Sequence, residues 1–235
     1  MRFKGIVFDK DGTLFDFNAT WGVWTRDLIR SIADGDDAMQ TGLADSIGFE
    51  LQSGQFAKTS PVIAGTADEI VEAFLPFRPG VDRDALIAEM NALAATAPQV
   101  PAAPLGDLLD TLIGMGLTLG VATNDAEAPA RAHLDAHGVT DRFAFIAGYD
   151  SGYGGKPEAG QLDAFCKATQ LDPADCLMVG DSTHDLIAGQ LAGMTRVAVL
   201  TGIADAEDLA DHADVILNSV AELPGLLRGL GQQRA

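Results

Sequence analysis

The sequence predicts an α/β protein: a doubly wound parallel sheet interrupted, after its first strand, by an all-helical insertion. Three observations carry this. Beyond residue 104, segments of helical periodicity alternate with short apolar runs, the order of a parallel sheet with helices on both faces. A single apolar strand, 3–8, stands far ahead of that region and has no partner of its own, so it must join the later sheet. Between Phe17 and Val100 no strand pattern occurs, only helical spacing.

The elements follow in order. Phe3-Lys4-Gly5-Ile6-Val7-Phe8 reads as a strand and runs into Asp9-Lys10-Asp11-Gly12-Thr13-Leu14. Trp21, Trp24, Leu28, Ile29 and Ile32 recur at helical spacing, and a second apolar-periodic segment covers 38–51. A loop is expected over 53–65. Thr66-Ala67-Asp68-Glu69 has the form of a capping box and starts a helix through Phe74. Another helix spans 82–95, and the proline-rich stretch 98–104 is a linker. Helix 105–115 then precedes strand 117–122, helix 127–137 precedes strand 143–147, and helix 158–169 precedes strand 176–180. Helix 182–191 precedes strand 196–200, and a last strand near 214–217 precedes a terminal helix. The expected division is a discontinuous α/β core, 1–16 and 102–235, with a helical unit at 17–101. There is no internal repeat or low-complexity segment.

Composition narrows the function. With 47% hydrophobic and 21% charged residues in 235, a sizeable core forms and global disorder is excluded. Fifteen Lys and Arg against 34 Asp and Glu give a net charge of −19, which argues against nucleic acid and anionic membranes as partners. A small anionic substrate stays open, because a few local cations or a bound metal reverse the field locally. Cys166 and Cys176 fall at apolar positions and read as core in a reduced compartment. No apolar run approaches the roughly 20 residues of a membrane span. Met1-Arg2-Phe3-Lys4 leads straight into the first strand without a signal-peptide pattern. The expectation is a soluble cytoplasmic protein, monomer or homodimer.

At the strand ends, carboxylates for a metal beside amides for an anion suggest phosphate chemistry on a small phosphorylated metabolite. Asp9 and Asp11, two apart on an extended chain, point the same way and can share one site. Unpaired burial of a carboxylate costs several kcal/mol, so a cation or base is implied. The Gly12-Thr13 step offers backbone N–H groups to an anion. A calcium loop of the D-x-D-G type would need Glu at its twelfth position, where Thr20 stands. A plain strand-turn with solvated acids is the other reading of this segment alone. In open α/β sheets, however, ligands bind at the carboxyl ends of strands. The second of these ends in Thr123-Asn124-Asp125, and the third in a glycine-rich loop followed by Lys156-Pro157. The fourth ends in Gly180-Asp181-Ser182-Thr183-His184-Asp185. Singly, Thr123 reads as a helix cap, Lys156 as a solvated lysine, and Asp181 and Asp185 as helix-start acids. Together they place acids, a hydroxyl and an ammonium on one edge. His133 and His137 stand i,i+4, a spacing that can bind zinc, but with no third ligand evident an exposed helix face is expected.

These four segments resemble the four motifs of the haloacid dehalogenase superfamily, in the order Phe8–Leu14, Thr123-Asn124, Lys156-Pro157 and Gly180–Asp185. A helical insertion after the first motif is similar to the cap of its phosphoglycolate phosphatase-like and β-phosphoglucomutase-like members. One departure is Ala159, where relatives often carry a second proline. The resemblance implies a Rossmann-like core and a Mg²⁺-dependent phosphatase for a small organic phosphate such as 2-phosphoglycolate. It implies Asp9 as nucleophile, Asp11 as general acid and base, and Thr123 and Lys156 on the phosphoryl oxygens. Backbone N–H groups near Gly12 and Asn124 would complete the phosphate cradle. The metal would take Asp9, the backbone carbonyl of Asp11, and Asp181, with Asp185 as ligand or orienter. Asp11 favours phosphoryl transfer over dehalogenation, since a halide leaves without a proton. A phosphomutase is the enzyme alternative; a phospho-receiver domain or an inactive binding protein are the others. Of the basic residues in the insertion, Arg26, Arg30, Lys58, Arg78 and Arg83 are the candidates to meet a substrate carboxylate, Lys58 being solvated or substrate-binding rather than a Schiff-base former. Trp21 and Trp24 read as cap core, with one able to face the cleft.

Overall fold

The computed structural model describes residues 3–232; Met1 and Arg2, read above as the approach to the first strand, and residues 233–235 lie outside the described residues. The chain opens with β1 (Gly5–Phe8), followed by helices α1 (Phe17–Ala33) and α2 (Asp37–Ser46). A short pair, β2 (Phe49–Glu50) and β3 (Gln55–Phe56), precedes α3 (Pro61–Ala64), α4 (Ala67–Phe74) and α5 (Arg83–Ala94). The alternating part begins with α6 (Leu105–Gly114), β4 (Thr118–Ala122), α7 (Glu127–Ala136), β5 (Phe145–Ala147) and α8 (Gly160–Thr169). It continues with β6 (Cys176–Gly180), α9 (Thr183–Ala192), β7 (Thr195–Val199), α10 (Ala206–Leu209), β8 (Val215–Leu217) and α11 (Leu223–Gln232).

The first strand finds its partners far along the chain. The six-stranded sheet has the order β5-β4-β1-β6-β7-β8. β1 pairs in parallel with β4, Phe8 opposite Val121, and with β6, Phe8 opposite Val179. All other pairings within this sheet are parallel too, so it is the doubly wound sheet the alternation predicts. The chain runs outward from β1 to β5 on one side, then crosses to β6 and runs outward on the other. The strand order therefore reverses at β1, where open sheets place their ligands. Side chains of β1 alternate between faces: Ile6 and Phe8 pack with the α6 leucines, and Val7 packs with Phe165 and Met178.

Short acids start the helices of segment 17–101. The Asp16 carboxylate accepts from Ala19 N at 2.8 Å, that of Asp36 from Ala38 N at 2.9 Å, and that of Asp82 from Asp84 N at 3.0 Å. Glu69 accepts from Thr66 N at 2.8 Å, half of the capping box read from the sequence. The segment buries its own apolar cluster, built on Trp24, Leu28, Leu43, Val71, Phe74 and Met90. Two expectations fail here. Segment 17–100 is not free of strands, because β2 and β3 form an antiparallel ribbon with Phe49 opposite Phe56. The loop expected over 53–65 holds β3 and α3. Strands of two residues have no measurable period, so pattern reading passes over them.

Several side-chain contacts join the helical segment to the sheet region. Lys58 bonds Asp205 at 2.8 Å and Asp208 at 2.7 Å, beside α10. These exposed pairs contribute little to stability. Asn124 donates to the Ala64 carbonyl at 2.7 Å, and a ring nitrogen of His133 lies 2.7 Å from the Ala94 carbonyl. Both cysteines are core, as expected: burial pushes the Cys176 thiol up to about 12 and raises that of Cys166, which keeps both unreactive. No described helix is long and apolar enough to cross a membrane.

Candidate active site

Asp9, Thr123 and Asp181 each follow directly on a strand, and those strands are neighbours. β1, β4 and β6 end at Phe8, Ala122 and Gly180, so parallel pairing brings the three side chains to one edge. The Asp9 N–H donates to Val179 O at 2.9 Å, and the Thr123 N–H to Ala147 O at 3.0 Å, which extends the ladder through both residues. Lys156 arrives from the loop after β5. Its Nζ donates to Asp9 Oδ1 and to Asp185 Oδ1, both at 2.6 Å. Asp185 is also held from its own helix start, its Oδ2 accepting from Ser182 N at 3.0 Å and Ser182 Oγ at 2.7 Å. Ser182, not Asp181, is thus the N-cap of α9, and Thr123 caps no helix, since the N-cap of α7 is Ala126.

Asp9, Asp181 and Asp185 are buried, and their oxygens lie within 4.8 Å of one another, a group that can hold a metal ion. Three carboxylates share the one ammonium of Lys156, so full ionisation leaves two negative charges uncompensated. Burial, reinforced by Asp185 and Asp11, pushes the Asp9 carboxyl up to about 7 against the pull of Lys156. Burial and the charges of Asp9 and Asp185 raise Asp181 well above the usual carboxylate range. Lys156 keeps its proton, because Asp185 and Asp9 outweigh its desolvation. Hard oxygen donors with a charge deficit of two fit a divalent cation. Glycine makes the cluster possible: a Cβ on Gly12 or Gly202 would overlap the Asp181 carboxylate.

Asp11 faces the same cavity but bonds elsewhere. Its carboxylate accepts from Lys10 Nζ at 2.7 Å. Lys10 is 0% exposed, and Asp125 lies 3.3 Å from its Nζ. Lys10 Nζ is also 3.0 Å from His133 Nδ1, so His133 is the Nε2–H tautomer, with Nε2 donating to Ala94 O. His133 is therefore buried, not on an exposed helix face; His137 is exposed and packs on Phe15. Burial, then the Lys10 charge, lowers His133 to about 4, and burial raises Asp125 to about 6. The depressed histidine value adds stability that is complete above the unfolded pKa near 6.5 and is lost as pH falls toward about 4. In melts across that window, His133→Gln should lose less stability on acidification than the parent; equal slopes would contradict this burial.

Lys10, Asp125 and Gln161 were not singled out from the sequence, and His133 was read there only as one of an exposed pair with His137. Gln161 Nε2 donates to Thr123 O and to Gly154 O, each at 3.0 Å, and so ties the second strand end to the glycine-rich loop. Asn124 accepts from Lys156 N at 2.7 Å and donates to Lys156 O at 2.8 Å, which fixes the lysine backbone. A signal for Lys10 existed: in a sheet covered on both faces, the residue between two inward acids is buried as well and needs partners. Gly12 differs from expectation. Its N–H donates to Phe15 O at 2.7 Å, and Gly12 does not line the cavity, so its part is steric.

The cavity above Asp9 is small, about 50 Å³ on the measure by which one water needs roughly 10–15 Å³. Asp9, Asp11, Thr123, Asn124, Lys156, Asp181 and Asp185 form one side. Helices α1, α3, α4 and α5 close the other, with both Trp21 and Trp24 on the wall. None of Arg26, Arg30, Lys58, Arg78 and Arg83 lines it, contrary to the expectation that these would meet a substrate.

Comparison with known proteins agrees with this geometry. The family model of haloacid dehalogenase-like hydrolases matches residues 3–193. A phosphoglycolate phosphatase of Chromobacterium violaceum is 37% identical over 122 residues, which is 52% of this chain and 54% of that protein. The chain thus aligns with only about half the length of that relative. The protein named "Probable phosphatase IndB" of Dickeya dadantii is 30% identical over 96% of this chain and 94% of its own length. Among solved structures, a β-phosphoglucomutase of Clostridium difficile superposes with a TM-score of 0.70 at 16% identity, covering 98% of each chain. That likeness shows the fold alone.

Proposed function

The chain belongs to the haloacid dehalogenase-like hydrolases, and on that footing we propose that it is a Mg²⁺-dependent phosphatase acting on a small organic phosphate monoester. The observation that carries this reading is the buried group of Asp9, Asp181 and Asp185 around the single ammonium of Lys156. Segment 17–101 acts as the cap. A carboxylate of Asp9 attacks phosphorus, and the bond from phosphorus to the ester oxygen breaks. Asp11 delivers a proton to the departing alkoxide, then removes one from the water that attacks the aspartyl-phosphate, and Asp9 is released as carboxylate. Thr123 and Lys156 hold the phosphoryl oxygens as charge moves onto them. Asp9, Asp181, Asp185 and the Asp11 carbonyl would hold Mg²⁺, which when bound keeps Asp9 ionised and neutralises phosphoryl charge.

A phosphomutase would have to hold a hydroxyl-rich sugar against the cap. Apart from two indoles, Asn91 is the one polar side chain that helices α1, α3, α4 and α5 put on the wall, so hydrolysis is favoured.

The metal reading is tested without turnover. Mg²⁺ at about a hundred times its Kd should stabilise the protein by about 2.7 kcal/mol. That is a rise of roughly 5–10 °C in Tm for a chain of this size. In Asp181→Asn the rise should vanish, while the cation-free variant melts at or above the parent, having lost a carboxylate that burial and two like charges disfavour. Thr13 Oγ1, 3.3 Å from Asp181 Oδ1, can still donate to an amide oxygen there. A full Mg²⁺ shift in the variant would remove Asp181 from the metal site.

A further inference from the structure

The cavity has two unlike halves, and we infer from the cap half that the substrate's leaving group is an uncharged, largely apolar alcohol, aliphatic or aromatic. This rests on the phosphatase reading above and names the substrate class for that same site. The formal charges lie on the sheet edge, in Asp9, Asp11, Asp125, Asp181, Asp185 and Lys156. Opposite them stand Phe17, Trp21, Trp24, Ile63, Ile70 and Met90. The two indoles meet edge to face, 5.0 Å between ring centroids. Trp24 Nε1 already donates to Met90 O at 3.1 Å, so its polar atom is engaged within the segment.

The basic residues of segment 17–101 are turned to other work. Arg30 lies 3.7 Å from Asp27, and Lys58 holds Asp205 and Asp208. Arg83 holds Asp68 at 2.7 Å and Glu72 at 3.2 Å, and Arg26 lies 5.9 Å from the Phe49 ring centroid. Neither these nor Arg78 reaches the cavity wall. His184, the remaining basic side chain on the wall, belongs to the sheet-edge half, in the first turn of α9. A carboxylate carried against the cap would lose its water and meet no counter-charge. A polyol would leave hydroxyls unpaired. An alkyl or aryl group is favoured there in proportion to the apolar area it covers.

The test compares esters on the Mg²⁺-loaded full chain. p-Nitrophenyl phosphate first reports whether the protein is a phosphatase at all. Isopentyl phosphate and benzyl phosphate are then set against 2-phosphoglycolate and glucose 6-phosphate by kcat/KM. The apolar esters should lead by about 10²-fold or more. Ile63→Lys, at a half-buried wall position, should narrow the lead over 2-phosphoglycolate by tenfold or more. Equal or better turnover of 2-phosphoglycolate by the parent, with p-nitrophenyl phosphate hydrolysed, would overturn the inference and leave the phosphatase reading standing. An unchanged ratio in folded Ile63→Lys would count against it equally. No hydrolysis of any ester would overturn both.

Discussion

Asp9→Asn is expected to abolish turnover while leaving the protein folded. A carboxamide is no nucleophile toward phosphorus, and loss of a covalent nucleophile lowers kcat by at least about 10⁴-fold, near 5.5 kcal/mol of transition-state stabilisation. The fold should tolerate the change for a local reason. Lys156 retains Asp185 at 2.6 Å, so the ammonium stays paired, and the buried cluster loses one of three like charges. Phosphate release from p-nitrophenyl phosphate, read beside a melting curve, checks both halves. A variant with full Mg²⁺-dependent activity would end the proposal that Asp9 carries the phosphoryl group. A variant that fails to fold would show instead that the Asp9–Lys156 contact is structural before it is chemical.

Lys10→Met should be the most destabilising single change near the site. It leaves Asp11 and Asp125 without an ammonium and His133 Nδ1 without a donor, all in buried or nearly buried surroundings. Breaking a buried ion pair from one side costs about 3–5 kcal/mol. At this chain length that lowers Tm by roughly 6–20 °C. The variant also frees Asp11 from its fixed position, so general-acid assistance should fall by about 10²-fold. Assistance matters less for p-nitrophenolate, a good leaving group, than for an alkoxide. The loss should therefore be larger with an alkyl phosphate than with p-nitrophenyl phosphate, a difference that mere loosening of the fold does not produce. Denaturant unfolding and the two substrates measured below the variant's Tm decide it. Equal losses on both substrates would make Lys10 structural only, and unchanged stability would contradict the network itself.

The sheet and its chemical edge were readable because their signals are periodic or positional. Strand-helix alternation fixes a parallel sheet, parallel pairing puts every strand end on one side, and Asp9, Thr123, Lys156, Asp181 and Asp185 stand at those ends. What escaped was set by contacts between distant segments. His133 sits with Ala130 and Leu134 on the buried stripe of α7, yet its partners, Lys10 and the Ala94 carbonyl, are 123 and 39 residues away in the chain. The choice among the basic residues of 17–101 depended on helix packing, which sequence spacing does not encode. Arg83 and Lys58 found acids on α4 and beside α10 instead of the cavity. The β2–β3 ribbon was too short to carry a period.

The position of β1 at the centre of the sheet also sets an order of events at the ribosome. The strand that carries Asp9 is made before the other strands of its sheet, but its two neighbours are β4 and β6, at Thr118–Ala122 and Cys176–Gly180. Its hydrogen-bonding edges have no native partner until more than 100 further residues exist, and no second partner until β6, which begins at Cys176, has been made. Over that interval helices α1 to α5 emerge, and their mutual contacts are closer in sequence than those of β1. Local contacts close faster than distant ones, so the helical segment can gather before the sheet has a middle. The acidic edge is complete only when Gly180 and the aspartates after it have left the tunnel.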